Sequence, residues 1–581
     1  MQRKIALCMT GLGLLTLTAC NSGTSTSAPN TQTTPGTLLY SPPFRVASLT
    51  AAQLTAQLGA NTTGQQLLAL AGTPKCGIDF HLIKYATTGG AGEATHASGV
   101  IMAPTGGTGC SGARPILEYA HGTTAMSSYN LANITDSTND AWTESVMLAA
   151  FYAAQGYIVV APNYVGYDVQ DVDTLSYHPY LNAAQQSGEM IDALTAARSA
   201  LTAGLPSGDT DGGKLFVTGY SQGGHVAMAT VRAMQSKGIA VTASAPMSGP
   251  YAMLAFGDAV VAYSQVGLGG TIYYPMVINS YQHAYGNIYS SASSFYSATY
   301  ATGIDALLPG TLSVTQLFTQ NKLPEFAIFN STTPGTGSEP GSGIPALDAA
   351  MGVPSNPLFA LGFGNPYLIQ NSVRVSYALD AAVHPDGALP VPQAGVPVSA
   401  SPAYPLRVAL KTNDLRTNWS PSAPMLMCGG HGDPDVFYSV NTQTMQAYWG
   451  ANAPAAPVQA IDVDPSSSTP LATQIGTIAA TVMATNPGAS AATLTTALQT
   501  AIVTAFASNF TASGVPNSPQ GVQIAGAAGV AAQAMALYLS QGVTNPVTMA
   551  TDVGNAIVAY YHFPLTQLSC EVAAQGFFAQ F

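Results

Sequence analysis

Short, largely apolar runs closed by turn residues recur along the chain, and longer stretches of helical composition lie between them. Residues 116–120, 157–161, 214–218, 424–428 and 458–463 are runs of this kind. Each predicts a strand. Residues 143–155, 184–201 and 223–236 are longer than ordinary strands and carry helix-forming composition. Strands alternating with helices predict an α/β chain, with a mostly parallel sheet and helices on both of its faces. Upstream, residues 78–85 and 97–103 flank a Gly-rich turn at 88–92. They predict an antiparallel hairpin at one edge of that sheet.

The first residues have a different pattern. Arg3 and Lys4 precede an uncharged apolar stretch over residues 5–18. That stretch is shorter than the ~20 residues needed to span a bilayer, so residues 1–19 are expected to be a signal peptide. Its end, Leu17-Thr18-Ala19-Cys20, resembles the lipobox of bacterial lipoproteins, which implies cleavage before Cys20 and acylation of that residue. Asn21, rather than Asp, follows the cysteine and points to the outer membrane. Residues 20–45, rich in Ser, Thr, Pro, Gly and Asn, are expected to form a flexible tether. The expected location is therefore outside the cytoplasm, lipid-anchored at a bacterial outer membrane or cell surface, with plain secretion as the alternative. Residues 524–539 come nearest to a later membrane span but are mostly Ala and Gly, so no transmembrane helix is expected.

Composition narrows the partners. Of 581 residues only 7% are charged, against roughly 25% in an ordinary soluble domain. The formal charge of −12 excludes the basic footprint of a nucleic-acid binder. An apolar fraction of 47% excludes a disordered chain. What remains is a globular protein with an uncharged polar surface. Cys8 leaves with the signal and Cys20 takes lipid, so Cys76, Cys110, Cys428 and Cys570 remain, with three possible pairings. The hairpin brings its outer ends together and favours Cys76–Cys110; Cys428–Cys570 follows by elimination. No cysteine or histidine spacing suggests a metal, and no cofactor is expected.

The candidate chemistry begins at Gly219-Tyr220-Ser221-Gln222-Gly223-Gly224, a G-x-S-x-G run between a strand and a helix. Gly219 and Gly223 would give the sharp nucleophile turn room, and Ser221 would be the nucleophile. A serine hydroxyl needs a base within hydrogen-bond reach and an acid to orient that base, in the chain order Ser, acid, His. The acid is expected in the loop after strand 424–428, where Asp433 is favoured and Asp435 competes. His562 is the only histidine after His431 and is the expected base. Backbone N–H groups of Gln222 and of Thr123 (or Thr124) are the expected oxyanion donors, and His121 is expected to pin their loop.

These residues carry a family resemblance. Residues 118–123, 161–167, 178–181, 219–225, 415–421 and 429–436 together resemble the secretory lipase family of α/β-hydrolases, from about residue 76 to the end with gaps. The resemblance implies an α/β-hydrolase fold and hydrolysis of carboxylic esters without metal or cofactor. Tyr164, His178 and His225 are expected to be packing or loop residues, and Asn163 stands where the family often has Asp. The separations of 212 positions from Ser221 to Asp433 and 129 from Asp433 to His562 far exceed the ~30 residues of one βαβ step. The expected organisation is thus core over 46–253, a large helical cap over 254–400, core over 401–469, a helical insertion over 470–555, and core with the histidine over 556–581. In the cap, Tyr274, Tyr281, Tyr285, Tyr289, Tyr296 and Tyr300 are spaced as one helical stripe. The expected substrate is a small-molecule, lipid or polyester ester. The alternatives are a serine peptidase or aminopeptidase of the same fold and a binding protein with an inactive core.

Overall fold

Ile116, Ile158, Leu215 and Met425 lie in one buried cluster, and their chain neighbours Leu117, Val159, Phe216 and Leu426 lie in another. Successive side chains of a strand point to opposite faces, so this split places a hydrophobic core on each side of the sheet. The computed structural model describes residues 33–170, 172–389, 398, 401–416, 419–452 and 454–581. The expected signal peptide, the acylated Cys20 and most of the tether lie outside the described residues.

The strands are β1 (Phe44–Leu49), β2 (Gly77–Thr88), β3 (Ala94–Thr105), β4 (Ala113–Ala120), β5 (Ile158–Pro162), β6 (Thr210–Tyr220), β7 (Ala243–Met247), β8 (Phe329–Asn330), β9 (Phe363–Gly364), β10 (Met425–Gly429) and β11 (Val458–Asp462). Nine of them form one sheet in the order β1-β2-β3-β5-β4-β6-β7-β10-β11, and β8 pairs with β9 separately. Pairing is antiparallel from β1 to β5 across β2 and β3. It is parallel for the rest of the sheet. This is the α/β-hydrolase fold with its antiparallel N-terminal hairpin. Disulfides join Cys76 to Cys110 and Cys428 to Cys570.

Two strands of the nine-stranded sheet escaped the sequence pattern. β7 reads Ala-Ser-Ala-Pro-Met, residues of low strand propensity, yet every one is buried inside the sheet, between β6 and β10. β1 has no counterpart among the expected strands, and it begins at Phe44, before the expected end of the tether at residue 45. The tether boundary is a correction: Gly36 N–H donates to Ala86 O and Leu39 N–H to Lys84 O, both at 2.8 Å. The outer edge of β2 offers backbone groups that need partners, and the segment after residue 33 supplies them.

The cap region carries its own core around Leu254, Ile278, Tyr281, Leu317 and Phe329. Its expected tyrosine stripe is not one helix. Tyr274, Tyr281 and Tyr285 lie on the helix Gly270–Tyr285, which stops at Gly286. Tyr289 and Tyr300 fall in irregular chain, and Tyr296 ends the single turn Ala292–Phe295. Buried ion pairs stitch this region together: Arg407 bridges Asp258 and Asp380, and Arg416 bridges Asp386 and Asp414, at 2.7–2.9 Å. Six of the chain's few charged residues are therefore spent internally.

Residues 470–555 form helices Leu471–Thr485, Ala491–Ala505, Pro519–Ser540 and most of Pro546–Tyr560. They pack around a separate core that includes Leu498, Ile502, Met535 and Ile557. The helix Pro519–Ser540 is long and apolar enough to cross a membrane by length and composition, but half of its apolar window is buried among its neighbours. The same core takes in Tyr561 and Leu565, so the insertion hands the chain directly to His562.

Candidate active site

Ser221 sits between β6 and the helix Gln222–Ser236, with φ 59° and ψ −120°. This turn is possible because of the glycines beside it. A Cβ on Gly219 would lie 2.5 Å from Ala120 O, and one on Gly223 only 1.9 Å from the same atom. The strand end β4 therefore touches the turn directly, and a larger residue at either position would push it away.

Three distant segments meet at the hydroxyl. His562 Nε2 lies 2.8 Å from Ser221 Oγ, and His562 Nδ1 lies 2.7 Å from Asp433 Oδ2. A carboxylate only accepts, so Nδ1 carries a proton toward Asp433 and Nε2 is left to accept the serine O–H. Asp433 is itself held: Ser248 Oγ donates to Oδ2 at 2.8 Å, and the N–H groups of Asp435 and Val436 donate to Oδ1 at 2.9 and 3.0 Å. Burial alone would push the His562 imidazole down, but the adjacent Asp433 charge and hydrogen bond, with Asp435 adding to them, hold it above the usual histidine value.

Asp435, the competing acid, points elsewhere. Its Oδ1 accepts the N–H of Gly269 at 2.7 Å, next to the start of the helix Gly270–Tyr285. A carboxylate at a helix N-terminus is favourably placed. Burial pushes its pKa up, with His562 pulling the other way.

Several supports had no sequence signal. Tyr220 OH donates to the His562 carbonyl, although Tyr220 occupies a freely variable position of its motif. Ser248 follows β7, the strand that composition hid. Tyr561 OH donates to Asp464 and accepts Gly432 N–H at 3.2 Å, tying the histidine segment to the acid loop. The Cys428–Cys570 disulfide, which the sequence does predict, ties the same two regions again, from β10 to the helix Gln567–Phe578.

The residues expected to be structural have defined partners. His121 lies between the carbonyls of Gly122 (2.7 Å) and Asn163 (3.1 Å) and stacks on Tyr164. Asn163 Nδ2 donates to Ser98 Oγ at 2.8 Å while its Oδ1 accepts Leu131 N–H at 2.8 Å. An aspartate could not supply that donor. His225 Nε2 reaches Asn413 O at 3.1 Å.

Two unlike cavities open on Ser221. One is narrow, about 70 Å³, and walled by side chains such as Met253, Val260, Val277, Ile278, Leu410 and Val436, with Asp435 at its edge. The other is a cleft of about 520 Å³ whose walls include Thr123, Thr124, Asp140, Thr143, Glu144 and Gln567, and His562 lies on it. Gln222 lines the first cavity and Thr123 the second, while Tyr273 borders both. Among the described residues no cluster of three or more His, Cys, Asp or Glu side chains could hold a metal ion.

No family model and no curated protein matches the chain. Solved structures do. The rice cell wall degrading esterase LipA from Xanthomonas oryzae is 28% identical, with a TM-score of 0.55 over 74% of this chain and 92% of that one. A Legionella pneumophila protein aligns at 19% identity and TM-score 0.50, over 73% and 91% of the two chains. Candida antarctica lipase A aligns at 12% identity and TM-score 0.41, over 74% and 78%.

Proposed function

We propose that this chain, an α/β-hydrolase and carboxylic ester hydrolase similar to secretory lipases, cleaves esters of an apolar acyl chain with a hydroxyl-bearing alcohol through an acyl-enzyme on Ser221. The observation that carries this reading is the pair of unlike cavities meeting at one serine. The narrow apolar one suits an acyl chain, and the wider one, the more polar of the two, suits the alcohol. Ser221 Oγ attacks the carbonyl carbon as His562 Nε2 takes its proton. Asp433 holds the imidazole in the productive tautomer and stabilises the imidazolium that forms. The backbone N–H groups of Gln222, at a helix N-terminus, and of Thr123 bind the developing oxyanion. His562 then delivers its proton to the departing alkoxide, and water releases the acid by the reverse sequence.

An aminopeptidase needs a carboxylate free to hold the substrate's amine. Of the two carboxyls on the cleft, Glu144 is already engaged, accepting from Tyr119 OH and Tyr129 OH, and Asp140 is exposed. A series of p-nitrophenyl esters from acetate to palmitate tests the reading on the purified protein. Each added methylene should raise kcat/KM by up to about 4-fold until the apolar cavity is filled, since burying a CH2 is worth ~0.8 kcal/mol. A fluorophosphonate probe should label Ser221. A flat or falling series from acetate, aminoacyl-arylamides turned over faster than esters, or an unlabelled serine would each overturn it.

Two disulfides are the mark of an oxidising compartment, consistent with export. Lipid anchoring through Cys20 is the proposed mode. Labelled palmitate fed to expressing cells should enter the protein and be lost in Cys20→Ser; equal labelling of both would exclude it.

A further inference from the structure

The two proposed oxyanion donors sit on separate elements. Gln222 belongs to the turn after β6 and Thr123 to the loop after β4, so something must set the distance between their N–H groups. We infer that residues 178–180 do so: His178 positions Gln222 through its side-chain amide, and Tyr180 positions Thr123 through its hydroxyl. The inference rests on the acyl-enzyme reading above and adds two positioning residues to it.

His178 has a defined tautomer. Its Nδ1 lies 2.8 Å from the Val165 carbonyl, which can only accept, so Nδ1 carries the proton. Nε2 is then an acceptor, and Gln222 Nε2 lies 2.6 Å from it, with Gln186 Nε2 further off at 3.5 Å. The arrangement requires a neutral ring. Burial supplies that condition by pushing the His178 pKa down to about 3, against the opposing Val165 hydrogen bond. The ring cannot swing away, because Tyr164 stacks on it at 5.4 Å and Tyr167 and Tyr180 pack at 4.9 and 6.0 Å.

Two residues on, Tyr180 OH lies 2.7 Å from Thr123 Oγ1. Tyr180 N–H donates to His178 O at 2.7 Å, so the two side chains are held by one tight turn. That turn is anchored from beyond the site as well: Tyr281 OH, on the cap helix Gly270–Tyr285, donates to Leu181 O at 3.1 Å, and Asn413 Oδ1 accepts Ala183 N–H at 2.8 Å. The Thr123 loop is pinned again where Tyr167 OH donates to Thr124 O at 2.8 Å. His178 and Tyr180 thus hold Gln222 and Thr123 from one rigid piece of chain, and a pair of donors fixed in this way needs no rearrangement when negative charge develops.

The test is steady-state kinetics on a p-nitrophenyl ester, together with inhibition by a trifluoromethyl ketone, whose serine adduct carries the oxyanion. Tyr180→Phe removes one oxygen atom, and His178→Phe removes both ring nitrogens. Each should lower kcat by roughly 10- to 100-fold with KM within about 2-fold, because misplacing a catalytic group by ~1 Å can cost about 100-fold. The inhibitor should weaken by the same factor as kcat/KM. His178→Gln, which keeps an acceptor for the Gln222 amide, should recover much of the loss. Gln222→Met breaks the same contact from the other side and covers the case in which His178→Phe does not fold. In a Thr123→Val background, Tyr180→Phe should have little further effect, because the hydroxyl it acts through has gone. Wild-type kcat and inhibition in Tyr180→Phe and Gln222→Met would overturn the inference, as would independent, multiplying effects of Thr123→Val and Tyr180→Phe. If the wild-type protein neither turned over esters nor took the fluorophosphonate, the acyl-enzyme reading itself would have failed instead.

Discussion

Ser221→Ala is expected to lower kcat on p-nitrophenyl esters by about 10⁶-fold, the scale on which a triad acts as one unit. The hydroxyl stands where both cavities meet, 2.8 Å from His562 Nε2, and no other nucleophile takes its place in the proposed reaction. Alanine also carries a Cβ, so the turn at φ 59° should be no more strained than before, and the loss should come without unfolding. Residual activity of ~10³–10⁴ over water is expected from the oxyanion donors and substrate binding alone. Fluorophosphonate labelling should vanish with turnover. A variant that keeps turnover within tenfold of wild type would end the acyl-enzyme account.

Asp433→Asn is the second large effect, about 10⁴-fold in kcat near neutral pH. An asparagine amide can donate where the carboxylate could only accept. The imidazole then settles in the tautomer with its proton on Nε2, facing the serine it should deprotonate. The variant should also change the pH profile. The base must be neutral to act, so wild-type kcat/KM should rise with pH through the His562 pKa, above the ordinary ~6.5. Removing Asp433 leaves the downward push of burial less opposed, and the acid limb of the surviving activity should move to lower pH. Asp435→Asn should move the limb less and lower kcat far less, because that carboxyl accepts the Gly269 N–H at the edge of the acyl cavity. Its effect should fall on chain-length preference. A larger kcat loss in Asp435→Asn than in Asp433→Asn would reverse the assignment of the acid.

The candidate site was legible because its chemistry leaves local marks. Ser221 announces itself through flanking glycines that only a tight turn requires, and His562 through being the last histidine available. The sequence favours Asp433 but keeps Asp435 as a competitor two residues away in one loop, because spacing cannot say which way a side chain turns. The hairpin strands, with their paired cysteines at its outer ends, were equally plain. β7 was not, because burial between β6 and β10, rather than propensity, makes a strand of Ala-Ser-Ala-Pro-Met. Ser248, at its end, stayed hidden with it. The tyrosine spacing in the cap suggested one helix, but periodicity over 27 residues cannot see a stop at Gly286.

The low charge content first served to exclude partners, and the buried Arg407 and Arg416 networks give it a second meaning: several of the few charges hold the cap region together. The sequence by itself determined the fold class, the α/β order of elements, the nucleophile turn and the candidate serine, acid loop and histidine, all of which follow from local pattern and chain order. Only the tertiary structure decided the geometry that joins them. It turned Asp433 toward His562 and Asp435 toward Gly269, opened a narrow apolar cavity and a wider, more polar cleft on one hydroxyl, and placed His178 and Tyr180 against the side chains of Gln222 and Thr123. Each of those facts is a contact between residues far apart in the chain, and side-chain direction across such a contact is fixed by packing, which no local pattern encodes.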